Sequence, residues 1–120
     1  MEVIIQESPR HAALLVARMI AGVIRTKPCA VLGLATGTTP IPVYQELVRL
    51  HKEEGLDFSQ VTTFNLDEYV GLSPKHQQSY HFYMRQQLFS QVNLRADRVF
   101  IPDGLAADIP RHCAEYEQRI

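Results

Sequence analysis

Three stretches of this sequence carry side chains at spacings that suit chemistry. The first is Leu34-Ala-Thr-Gly-Thr-Thr-Pro40. Gly37 can take backbone angles closed to other residues, which lets consecutive N–H groups converge on an anion. Thr36, Thr38 and Thr39 add hydroxyl donors, and a helix beginning just after them brings the positive end of its dipole. With a single glycine and no lysine the stretch is neither GxGxxG nor a P-loop. It reads as a phosphate cradle or, more plainly, as a strand-to-helix turn with a threonine cap.

The second stretch is Asn65-Leu-Asp-Glu-Tyr69, at the end of a run that reads as a strand. Open α/β sheets bind ligands outside the carboxyl ends of their strands, close to the switch in strand order. Beside apolar Phe64 and Leu66, desolvation raises a carboxylate's pKa and suits it to general-base work. Asp67 and Glu68 are neighbours, so in extended chain they point opposite ways and one of them faces the pocket. The alternative is an acidic loop start that caps local N–H groups.

The third stretch is Ser79-Tyr-His-Phe-Tyr-Met84, where Tyr80, Tyr83 and Met84 either wall a pocket or join the core. Histidines at positions 11, 51, 76, 81 and 112 show neither HxH nor HExxH spacing, so no metal site is expected. His51 and His112 fall on expected amphipathic helices, where a solvated or edge-packed ring is the simplest reading. Cys29 precedes a strand and reads as a small core residue.

Strands alternating with helices have to position these groups. Glu2-Val-Ile-Ile-Gln6 is a β-branched run and reads as a strand. Ser8-Pro9 reads as N-cap and first helical residue; Leu15, Met19, Ile20, Val23 and Ile24 then recur at helical spacing until Lys27-Pro28. Residues 30–35 are continuously apolar, as expected of a parallel strand covered on both faces. A helix over about 40–54 puts Val43, Leu47 and Leu50 on one face and stops at Gly55. Residues 61–66 read as the next strand. An amphipathic helix around 79–92, a short strand at 98–101 and a helix up to Ile120 follow. The expected fold is α/β, a mainly parallel sheet with helices on both faces. The chain stops in or just after its last helix, leaving a sheet edge and helix faces without cover, so a missing C-terminal portion is expected.

Composition narrows the class. Apolar residues are 46% and charged residues 21% of the 120, a globular balance. Lys and Arg number 12 against 13 Asp and Glu, a net charge of −1, so no global field recruits nucleic acid or an anionic membrane. The longest apolar stretch, residues 12–24, is interrupted by Arg18 and is too short to span a bilayer. Glu2 and Glu7 stand where a secretion signal carries positive charge, and Cys29 and Cys113 form neither a disulfide framework nor a CxxC site. One soluble domain of the cytoplasm is the expectation.

Taken in order, residues 31–40, 63–72 and 79–84, with Arg111-His-Cys-Ala-Glu-Tyr-Glu117 in the last helix, resemble the glucosamine-6-phosphate deaminase family. The Phe-Asn-Leu-Asp-Glu-Tyr-Val-Gly-Leu block is the most specific part, since the T-G-x-T-P loop is shared with 6-phosphogluconolactonases. The resemblance implies a modified Rossmann-like fold. It also implies conversion of glucosamine 6-phosphate to fructose 6-phosphate and ammonia, with no metal or organic cofactor. On this resemblance Thr36, Gly37, Thr38 and Thr39 hold the substrate phosphate, Thr38 standing where many members have a second glycine. Asp67 takes the C2 proton of the opened sugar and returns it at C1; Glu68 and Tyr80 are further pocket candidates.

Members of the family are longer and carry a second block whose histidine and acidic partners open the sugar ring. Residues 1–120 are therefore expected to be the N-terminal half of a single sugar-phosphate isomerase/deaminase domain. The implied partner is a small amino-sugar phosphate, with neither nucleic acid nor membrane, and a homo-oligomer stays open. Two other readings stay open as well. A sugar-phosphate-sensing domain would need the 36–39 loop but not Asp67 in a C2-facing place. A 6-phosphogluconolactonase-like hydrolase would have the loop without the full block at 65–72.

Overall fold

The computed structural model describes residues 2–120. In chain order the elements are α1 (Pro9–Thr26), β1 (Val31–Leu34), α2 (Ile41–Glu54), β2 (Thr62–Asn65), α3 (Tyr80–Met84), β3 (Val99–Phe100) and α4 (Ile109–Glu117). Local chemistry accounts for their ends. The Ser8 hydroxyl accepts the His11 N–H at 3.2 Å, Pro9 occupies the first turn of α1, and Pro28 stands just past its end. The Asp108 carboxylate accepts the Arg111 N–H at 3.0 Å and caps α4. Among the described residues no helix is long and apolar enough to cross a membrane.

The three strands are parallel and adjacent in chain order, β1-β2-β3, with Leu34 opposite Asn65 and Phe64 opposite Phe100. Leu34 shares one core with residues of α1 and α2 and with Met84 and Leu88, so these helices cover one face. α4 covers part of the other. There Phe64 stacks on Phe100 at 4.8 Å and meets the ring of Tyr116 edge-on at 6.0 Å. The fold is thus α/β with a parallel sheet between helices.

Several expectations change. Residues 2–6 are not a strand: they pair with no neighbour, and Ile5 is 89% exposed. β-branched composition reports fitness for a pleated, half-buried surface, and this segment lies on no such surface: it is exposed and pairs with neither open edge of the sheet. β1 is covered on one face only, Val31 being 60% exposed, because α4 sits over β2 and β3. With strands in chain order, no reversal of strand order lies among them.

The helix expected over 79–92 is shorter. α3 runs into a π-helical turn, Arg85–Phe89, after which the Ser90 N–H and hydroxyl both donate to the Arg85 carbonyl, at 3.1 and 2.7 Å. The buried stripe of α1 is Ala13, Ala17, Ala21 and Ile24, whereas Met19 and Val23 are exposed. Small side chains let α1 lie close against α2, a packing that a Met and Val face would hold apart. Cys29 is exposed rather than in the core.

Candidate active site

Leu34 and Asn65 are register partners, so the loops that follow them leave neighbouring strands side by side. The loop after β1 is held by its carbonyls. Leu34 C=O accepts from Asn65 Nδ2 at 2.9 Å, Ala35 C=O from the Tyr44 hydroxyl, and Gly37 C=O from the Tyr83 hydroxyl. Burial pushes both tyrosine hydroxyls above their ordinary pKa, so each remains a proton donor around neutrality. Gly37 sits at φ 102°, a conformation that side chains disfavour. Among the described residues the N–H groups of Gly37, Thr38 and Thr39 have no intramolecular acceptor. The threonine-cap alternative is not formed: Pro40 occupies the N-cap position of α2, and no side chain caps that end. What remains is a turn with free N–H groups and exposed Thr38 and Thr39, beside a half-buried Thr36.

The loop after β2 carries the two acids, and they differ sharply. Asp67 is exposed, and its carboxylate has no hydrogen-bond or ion-pair partner among the described residues. The apolar enclosure expected from Phe64 and Leu66 is absent, because Phe64 faces α4 and Leu66 is 82% exposed. Glu68 is fully committed. Its side chain is 1% exposed and accepts the N–H groups of Tyr69 (2.8 Å), Tyr80 (2.9 Å) and His81 (3.0 Å), with His81 Nδ1 at 2.8 Å. Burial alone would raise its pKa, but these donors outweigh it and hold the carboxyl below the ordinary glutamate range.

Two neighbouring depressions divide the candidate residues. Gly37, Thr38 and Tyr80, with Tyr69 and Tyr83, line a cleft of about 710 Å³. Asp67 and Glu68, with Pro102, Gly104 and His112, line a smaller one of about 190 Å³ against α4. Val70 borders both, while Thr36 and Thr39 line neither. Of the two alternatives left open for these residues, Tyr80 and Tyr83 wall the cleft and Met84 lies in the core. Gly104 lets the loop after β3 approach the loop after β2: a Cβ there would overlap the Tyr69 carbonyl oxygen, and the Gly104 carbonyl accepts the Gly71 N–H at 2.8 Å. His51 and His112 are both engaged locally, His51 Nδ1 with the Leu56 carbonyl at 2.6 Å and His112 Nε2 with the Asp103 N–H at 2.9 Å.

Sequence reasoning missed Tyr44 and Asn65 as holders of the first loop. A signal existed for each, since a tyrosine on the buried face of a helix and an asparagine inside a strand both need polar partners.

Comparison with known proteins places this geometry in a lineage. The chain is 59% identical over 108 residues to glucosamine-6-phosphate deaminase 1 of Giardia intestinalis, covering 90% of this chain and 41% of that protein. It is 49% identical over all 120 residues to the glucosamine-6-phosphate deaminase of Halothermothrix orenii, covering 50% of it. The chain thus spans about half the length of the curated relatives it matches. A solved structure of a monomeric glucosamine-6-phosphate deaminase superposes with a TM-score of 0.96 at 45% identity, over 99% of this chain and 49% of that one. A 6-phosphogluconolactonase from Thermotoga maritima shares the fold, with a TM-score of 0.72 at 19% identity, over 98% of this chain and 51% of that one. The model of the glucosamine-6-phosphate isomerases/6-phosphogluconolactonase family matches residues 5–120, and the chain belongs to that family.

Proposed function

We propose that this chain is the N-terminal half of a glucosamine-6-phosphate deaminase domain. On this reading the 36–39 loop binds the substrate phosphate and Asp67 is the base. One observation carries the proposal: a turn with free N–H groups and an unpartnered carboxylate leave adjacent parallel strands together, in a chain that closely matches named deaminases. Asp67 takes the C2 proton of the opened amino sugar and leaves an enolamine; return of the proton at C1 gives the imine of the ketose. Water then adds at C2 and ammonia departs, so glucosamine 6-phosphate and water become fructose 6-phosphate and ammonia. The protonated amine beside C2 acidifies that proton and favours an anion nearby. Glu68, with its oxygens already taken by α3, is a holder of the loop rather than a second base.

The overall reaction is on this reading both an aldose–ketose isomerisation and a hydrolysis, in the cytoplasm, on a small sugar phosphate. The lactonase likeness, at 19% identity, speaks to the fold. Thermal unfolding tests the phosphate assignment. At 100 times the dissociation constant, glucosamine 6-phosphate stabilises by about 2.7 kcal/mol, whereas unphosphorylated glucosamine does not. Equal stabilisation by the two sugars would sink it.

A further inference from the structure

We infer that α3 is a strut coupling the two loops of the site, with Glu68 and Tyr83 as positioning residues at its ends. The inference rests on the phosphate reading of the 36–39 loop and deepens it. One end is the Glu68 carboxylate, next in the chain to Asp67, which grips the first two N–H groups of α3 at Tyr80 and His81 and the His81 ring. The other end is Tyr83, one turn along, whose hydroxyl donates to Gly37 C=O. Tyr80 and Tyr83 both face the cleft that Gly37 and Thr38 line, so the strut runs along its wall.

Neither end is needed to seat α3. Ser79 already caps it, its hydroxyl accepting the Phe82 N–H at 3.1 Å, and Met84 and Leu88 anchor it in the core. A buried carboxylate is costly unless its oxygens are satisfied, and here every donor around Glu68 belongs either to α3 or to its own loop. The Glu68 and Tyr83 contacts therefore add attachment of the loops: α3 is fixed by the core, and both loops are fixed to α3. Asp67 and the free N–H groups of residues 37–39 consequently hold one relative placement before substrate arrives, which is the geometric condition for a base to meet C2 while the phosphate is bound.

The test uses amide-resolved NMR and hydrogen exchange on the full-length protein that carries this chain, first without ligand, then in titration with inorganic phosphate and glucosamine 6-phosphate. Tyr83→Phe removes only the hydroxyl. It should speed exchange at Gly37, Thr38 and Thr39 and also shift the amides of Asp67 and Tyr69, which Tyr83 does not bond. Glu68→Gln should disturb Gly37–Thr39 reciprocally, since coupling between sites runs both ways. Amides in the buried stripe of α1 should stay unchanged in both variants. Affinity for glucosamine 6-phosphate should fall roughly three- to tenfold in Tyr83→Phe, the effect of one net hydrogen bond.

If Glu68→Gln does not fold, the remote shifts in Tyr83→Phe decide the matter alone. Disturbance confined to each variant's own contacts would overturn the strut while leaving the phosphate reading intact. Coupled amide shifts in a chain that binds neither phosphate nor the sugar phosphate would overturn the phosphate reading and leave the strut standing.

Discussion

Asp67 and Glu68 are the same chemistry one position apart, and their surroundings divide the work. Asp67 makes no hydrogen bond among the described residues, so Asp67→Asn should cost the fold little. In the protein that carries this chain it should lower ammonia release from glucosamine 6-phosphate by about 10²- to 10⁴-fold, because an amide cannot accept the C2 proton. Near-normal turnover would move the base elsewhere. Glu68 should show itself in acid instead. Its folded pKa lies below the ordinary value of 4.5, so the stability it contributes is complete above that value and is lost as pH falls through the depressed one. Acid unfolding followed between neutrality and pH values well below 4.5 should therefore show a drop that Glu68→Gln flattens. An unchanged acid limb in that variant would mean the carboxylate is not held as described.

At the scale of elements, α1 separates pattern from packing. Its larger apolar residues repeat at helical spacing, yet three of its four buried residues, Ala13, Ala17 and Ala21, are alanines, with Ile24 as the fourth. Ala17→Leu forces a long side chain into that buried stripe and should cost about 1–3 kcal/mol, whereas Met19→Ala, on an exposed position, should stay within about 0.5 kcal/mol. Chemical denaturation of the two variants checks the ranking, and a reversed order would put the wrong face inward. The π-helical turn after α3 is a related case. Nothing in the apolar spacing of residues 79–92 marks it, because the turn consists in the Ser90 N–H reaching back five residues to the Arg85 carbonyl, a backbone choice that side-chain period does not encode.

For the whole molecule, the uncovered surface matters most. Val3, Ile4, Ile5, Val31, Leu66 and Val70 are all exposed, and β1 presents an unpaired edge with one bare face. Apolar patches and open strand edges promote association. The 120-residue chain alone should therefore sediment with a mass that rises with concentration, and a single monomeric species throughout would contradict this. The same preparation should release ammonia only marginally. Deprotonation at C2 needs the open aldehyde or its imine, and the rare open form lowers the apparent affinity by its fraction.

The sequence by itself determined what is local. Ser8 with Pro9, Gly37 in a turn, the apolar run of β1, the β-branched and aromatic run of β2 and the alternation of strands with helices are short-range choices, made by backbone angles, caps and side-chain period. Together they placed the 36–39 loop and Asp67 at the carboxyl ends of two strands. Tertiary structure decided which residues lie inside and what each polar group bonds to. Residues 2–6 have strand composition and no partner; Cys29 has core composition and an exposed position. The Tyr83 bond to Gly37 spans 46 positions and the Asn65 bond to Leu34 spans 31. No periodicity encodes such bonds, because they arise only when packing brings distant elements together.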